Sequence, residues 1–198
     1  MANTQQFGGL RIKSPSPDSG TQIAIVGTAD SATTAAGDPV QMSAAASASI
    51  GAGEACMQVI QGTATSAIYG VCQSTLPQFS DGTAAMVLTQ TYRSASTQGY
   101  ILLRLANNID TYQIQDDGIL AGMASGHLNY NYKLVAGNTD TAHSGLSIFT
   151  IDSNNGATTS TYPLKVLRPL TDATTAYCTW EVLLNNVVAS GGTGTVGI

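Results

Sequence analysis

Charge is the scarcest property of this sequence. Only 10% of its 198 residues are Asp, Glu, Lys or Arg, against about 25% in an ordinary soluble domain. Polarity comes instead from Ser, Thr, Asn and Gln. A charge-poor surface resists unspecific association less well, but costs little to bury against a partner because few ions need desolvation. The composition therefore leans towards an assembled structural protein, a trait shared with extracellular adhesins. The seven cations, Arg11, Lys13, Arg93, Arg104, Lys133, Lys165 and Arg168, are scattered along the chain, and the net charge is −5. No run reaches the density that a phosphate backbone requires, so direct nucleic-acid binding is not expected.

Other absences narrow the class further. No stretch of about 20 apolar residues is present to form a membrane-spanning helix. The start, Met1-Ala2-Asn3-Thr4-Gln5-Gln6, has neither the basic nor the apolar region of a secretory signal. Three cysteines, Cys56, Cys72 and Cys178, are too far apart and too few for a disulfide framework. They fit cytosolic synthesis with buried free thiols. Aromatics make up 6% against a hydrophobic fraction of 43%, so the core is built from Val, Ile, Leu and Ala.

What is present is a succession of short β candidates separated by turn chemistry. Thr21–Val26 is β-branched and stops at Gly27. Gly37-Asp38-Pro39-Val40 turns into Gln41 and Met42. Ala44–Ser49 reads as loop or one weak helical turn. Cys56–Gln61 and Ala67–Gln73 follow, then an Asp81-Gly82 turn and Ala84–Tyr92. Gly99–Leu105 is a buried strand. In Ile109–Gln115 the residues Asp110, Tyr112 and Ile114 share one face. Leu128–Val135 places Leu128, Tyr130, Tyr132 and Leu134 together. Gly145–Ile151, Tyr162–Leu170 with prolines at its ends, and Tyr177–Val188 with the single Trp180 complete the set. Strands at spacings of about 8–12 residues, with no sustained helical periodicity, predict an all-β chain. The expected architecture is a β-sandwich or small β-barrel, jelly-roll- or tulip-like, with an extended N-terminal arm. Residues 1–20, with Ser14-Pro15-Ser16-Pro17, form the arm, residues 21–189 a single β domain, and residues 190–198 a flexible Gly-rich tail.

No chemistry-bearing constellation stands out. Asp140, His143 and Ser144 are sequence neighbours, and an extended chain points neighbours apart, so a catalytic triad is not expected. His127 is the only other histidine. Asp152-Ser153-Asn154-Asn155-Gly156 lacks the Gly and Glu spacing of a calcium loop and reads as a turn. Asp116-Asp117 beside Gly118 also reads as a turn. Glu54 and Glu181 are the only glutamates, and nothing marks them as a hydrolytic pair. Tyr130 and Tyr132 offer a sugar-stacking pair or, more commonly, a cross-strand aromatic patch. No catalytic, metal or cofactor residue is assigned.

The order of several short stretches resembles small head proteins of tailed bacteriophages, the capsid cement or decoration proteins. Gln6-Phe7-Gly8-Gly9-Leu10 is similar to their Phe-Gly-Leu opening. Gly37-Asp38-Pro39-Val40, Tyr69-Gly70-Val71 and Tyr112-Gln113-Ile114-Gln115-Asp116 follow in the same order. Ser144-Gly145-Leu146 with Ile151-Asp152 resembles their Ser-Gly-x-x-Leu-Asp segment. Pro163-Leu164-Lys165-Val166-Leu167 and Trp180-Glu181-Val182-Leu183-Leu184-Asn185 look like their closing strands. Leu105-Ala106-Asn107-Asn108 departs from the pattern, since an acidic stretch is usual there. The resemblance implies a non-enzymatic virion protein, made in the host cytoplasm and bound outside the icosahedral capsid. Its partners would be the major capsid protein and its own copies, a homotrimer in preference to a dimer. A fibre, spike or adhesin module that binds host glycans is the alternative, and a depolymerase-type hydrolase is a further one.

Overall fold

The computed structural model describes residues 9–16, 20–44, 48–50, 54–76, 91–119, 128–135, 145–190 and 194–195. It is all-β. In chain order the strands are β1 (Arg11–Ser14), β2 (Thr21–Val26), β3 (Thr34–Ala35), β4 (Pro39–Met42), β5 (Ala48–Ile50), β6 (Glu54–Gln61), β7 (Gly70–Thr75) and β8 (Tyr92–Arg93). They continue with β9 (Gly99–Leu105), β10 (Thr111–Gln115), β11 (Asn131–Tyr132), β12 (Leu134–Val135), β13 (Thr150–Ile151), β14 (Leu164–Pro169) and β15 (Thr179–Leu184). Among the described residues the only helical turn is Val188–Ser190.

Five strands close a small barrel in the order β2-β9-β7-β4-β6, with β6 returning to β2 and β5 added outside β6. The closing β2–β6 pair is parallel and aligns Ala24 with Met57 and Val26 with Val59, while the other barrel pairs are antiparallel. Closure removes the free edges that would otherwise template aggregation. A barrel this narrow needs modest interior side chains, and its cluster is Ala24, Val26, Val40, Val59, Cys72, Ile101 and Leu103.

The second body is an open five-stranded sheet in the order β1-β10-β15-β14-β11. Its inner face carries Tyr112, Ile114, Trp180, Val182, Leu184, Leu164, Val166 and Tyr132. These pack over Leu134, Phe149 and Ile151 near the β12–β13 pair, and over Ile68 and Val71 from the barrel wall. Strand β7 therefore has two buried faces. Val71 points into the sheet cluster and its neighbour Cys72 into the barrel, as the two-residue period of a strand requires.

Several sequence readings end differently in three dimensions. Part of the expected N-terminal arm belongs to the fold: Leu10 is buried in the sheet cluster, and Arg11–Ser14 pairs with β10. Leu10, with partly buried Ile12 packed against the same cluster, gives the segment core contacts on its own molecule. Ala48 and Ser49, read as loop, pair with Cys56 and Ala55. The expected Leu128–Val135 strand divides at Lys133, because Asn131–Tyr132 pairs with β14 and Leu134–Val135 with β13. Gly145–Ile151 keeps only Thr150–Ile151 as ladder. Tyr177–Val188 shortens to Thr179–Leu184: Tyr177 has a positive φ of 60°, and the Asn185 and Asn186 side chains donate to the carbonyls of Tyr162 and Thr161. In the Gly-rich tail, the Thr195 amide donates to Asn185 Oδ1 over 2.9 Å. The Asp81-Gly82 turn and most of Ala84–Tyr92 lie outside the described residues.

Candidate functional site

Three of the short stretches singled out in the sequence meet at one seam between barrel and sheet. The Leu10 amide donates to the Gly37 carbonyl over 2.9 Å, the Gly37 amide to Cys72 over 2.8 Å, and the Cys72 amide to Asp38 over 2.9 Å. On the other side the Ser147 amide donates to Ala36 over 3.4 Å. Gly9 sits between them at φ 52°, where a Cβ would come 2.2 Å from Ser147 Oγ and 2.5 Å from the Gly37 oxygen. Only glycine fits both that backbone conformation and that space. An open groove of about 470 Å³ runs beside the seam, lined by Leu10, Ile12, Gly37, Cys72, Gln73 and Leu146 among others.

Asp38 is the ionisable centre of this region and is fully buried. Its Oδ2 accepts from the Ala35 amide over 2.9 Å and from Gln61 Nε2 over 3.2 Å. Burial pushes its carboxyl from 3.8 up to about 7, with the nearby Asp30 adding to the rise. Donors from Ser147, Ala35 and Gln61 oppose it. Beyond Gln61 lies a buried ion pair. Arg93, with no exposed surface, reaches Asp30 Oδ2 over 3.4 Å. Its guanidinium also donates to the carbonyls of Asp30 (2.7 Å), Ala32 (2.8 Å) and Thr97 (2.8 Å) and to Thr34 Oγ1 (3.2 Å). Asp30 in turn accepts from the Ala32 and Gln61 amides. A planar fork spread over three carbonyls is a clamp on loop geometry, and desolvation lowers its own pKa. The seam holds no activated nucleophile. Burial and the neighbouring Asp38 push the Cys72 thiol far up, which keeps it protonated and unreactive.

The remaining candidates resolve as local structure. Asp116 accepts from Trp180 Nε1 over 3.0 Å and from the Gly118 amide over 3.1 Å, and burial raises its pKa. Asp117 Oδ1 accepts from Ser153 Oγ over 2.5 Å. Asp152 closes its own turn through the Asn154 amide and Asn155 Nδ2. These oxygens serve the chain's own donors, and among the described residues no group of three or more His, Cys, Asp or Glu is arranged to hold a metal. Glu181 accepts from Lys13 Nζ at 2.8 Å and Arg168 Nε at 2.7 Å, and those two partners hold its pKa down. Tyr132 is fully buried and cannot stack on a sugar, which removes the Tyr130–Tyr132 pair as a glycan platform. Asp140, His143, Ser144, His127 and the Glu54 side chain lie outside the described residues.

No family model, curated protein or solved structure matches this chain.

The Arg93–Asp30 clamp is the feature that sequence reading passed over, having treated Arg93 as one of several scattered cations. Its signal was contextual. In so charge-poor a chain, an arginine amid small neutral residues must find its counter-ion far away, and Asp30 lies 63 positions distant.

Proposed function

We propose that this chain is a capsid decoration protein of a tailed bacteriophage. It binds the outside of the icosahedral head and strengthens the contacts between major capsid protein subunits. The observation that carries the reading is the seam. Gly9-Leu10, Gly37-Asp38 and Leu146 of the Ser144-Gly145-Leu146 stretch, parts of the stretches on which the resemblance rests, are remote in sequence but adjoin the same junction. Each stretch alone is short; a common place in the fold gives their order a physical reason.

The mode of action follows from mass action. A protein that binds only the assembled shell stabilises it by the free energy of that binding. Local twofold and threefold positions of a shell call for symmetric oligomers, and a homotrimer is the preferred form. The test is electron cryomicroscopy of the particles that carry this protein. The expected result is ordered density outside the shell, bridging capsomers. Density on the tail or a projecting fibre would overturn the reading and make glycan-binding assays the next step.

A further inference from the structure

The outer face of the five-stranded sheet has a charge opposite to that of the chain as a whole. Across this face β1, β10, β15, β14 and β11 stand in register: Arg11 faces Gln113, Gln113 faces Glu181, and Glu181 faces Arg168. In the next outward row Thr111 faces Leu183, Leu183 faces Lys165, and Lys165 faces Asn131. Lys13 joins the first row through its ion pair with Glu181. Four of the chain's seven Lys and Arg thus occupy one sheet face, and among the described residues the only acid on it is Glu181.

Three of these cations are engaged: Lys13 and Arg168 share Glu181, and Arg11 has an interaction of its own. Lys165 differs. It is half-buried and lines a cleft of about 400 Å³ with Asn108, Asn129, Leu167, Leu183 and Thr195. Its pairing is through the backbone alone, and its ammonium has no ion pair or hydrogen bond among the described residues. Asn129 is held at the cleft with a positive φ of 68°, its amide donating to the Val166 carbonyl over 2.8 Å. Exposed Ile109 and Leu128 adjoin Asn108 and Asn129 in the chain. A lysine and two asparagines lining a cleft with Leu167 and Leu183, bordered by exposed apolar residues, match a carboxylate on a protein surface. A nucleic acid fits less well, because no exposed aromatic lies among the described residues and four cations around one carboxylate make no phosphate track.

We infer that the outer face of the five-stranded sheet is the docking surface for an acidic protein face, with Lys165 receiving a partner Asp or Glu carboxylate in the Asn108–Asn129 cleft. This rests on the decoration reading, with the capsid shell as the partner.

The experiment measures binding of the full chain to particles stripped of it, at two ionic strengths. The variants are Lys165→Glu, Lys165→Gln and Thr28→Glu. Thr28 is an exposed turn residue of the barrel, so Thr28→Glu changes net charge by the same amount as Lys165→Gln but off the face. The docking assignment expects weaker binding at higher salt, at least tenfold loss for Lys165→Glu, a smaller loss for Lys165→Gln, and Thr28→Glu like the parent. Circular dichroism and thermal midpoints of the variants should match the parent, since the Lys165 backbone pairing is kept and its ammonium holds no described partner. Parent binding that survives Lys165→Glu unchanged would overturn the assignment while leaving the decoration reading intact. So would equal losses for Lys165→Gln and Thr28→Glu. Failure of the parent itself to bind stripped particles would overturn both, as would salt-sensitive binding to a DNA duplex in place of the particle.

Discussion

Asp38 is a carboxyl in the wrong medium, and its cost is set by pH. In the unfolded chain it ionises near 3.8, and in the folded protein burial delays ionisation to about 7. The folded state therefore holds a proton that the unfolded state has already released. Stability from this group is complete below pH 4, declines as pH rises, and is lost above about pH 7. Asp116 has the same sign, whereas Glu181, held down by Lys13 and Arg168, works in the opposite direction. The wild-type curve alone mixes these effects, so the informative quantity is a difference. Asp38→Asn keeps an acceptor for the Ala35 amide and removes the buried charge. Between pH 5 and pH 8 the variant should gain about 2 kcal/mol relative to wild type in denaturant unfolding. Parallel curves would assign the pH dependence to another group. Gly9→Ala is the second test at this scale. Its Cβ would strike Ser147 Oγ and the Gly37 oxygen at a positive φ, so a loss of about 2 kcal/mol or more in urea unfolding is expected.

Among the elements, those whose signal is local were legible and those that depend on a partner were not. Thr21–Val26 and Gly99–Leu105 form with the bounds read from sequence. Each is an apolar run beside glycine, and each is a full barrel strand. In Ile109–Gln115 the alternation put Asp110, Tyr112 and Ile114 on one face, and all three are buried. The start was misplaced because Asn107 Oδ1 accepts from the amides of Ile109 and Asp110 and turns the chain there. No local pattern could show that Leu128–Val135 changes sheets at Lys133, since both halves alternate equally well. The site was less legible still. The seam is made of backbone groups from segments far apart, and the Arg93 clamp grips carbonyls, which carry no sequence signature. Strand β1 gives this a measurable form. Leu10, the residue just before it, is deeply buried, and the Leu10 amide is tied to Gly37. Leu10→Ala should cost about 2–4 kcal/mol. It should also speed amide hydrogen exchange in Arg11–Ser14 well before exchange in β15 changes; uniform acceleration would mean that β1 is no separable element.

Two hydrophobic clusters in one chain raise the question of how many units unfold. The barrel could open alone only if its outer wall had little to lose. That wall includes Val71, buried in the sheet cluster beside Cys72 in the barrel cluster. The Ile68 amide donates to Asn186 over 2.8 Å, and the Val188 amide returns to Ile68 over 3.0 Å. Leu10 is tied to Gly37 at the other end of the junction. Exposing Val71, Ile68 and Leu10 together forfeits about 2 kcal/mol or more for each side chain, a sum comparable to the whole stability of an ordinary domain. The two clusters should therefore unfold as one cooperative unit. The chain supplies a probe for each, because Trp180, its single tryptophan, lies in the sheet cluster and Cys72 in the barrel. In a Cys56→Ala/Cys178→Ala background, tryptophan fluorescence and thiol labelling of Cys72 should report the same urea midpoint. Val71→Ala should lower both midpoints together. Labelling of Cys72 at a lower urea concentration than the Trp180 transition would instead make the barrel an independent unit, and the seam a joint between two bodies.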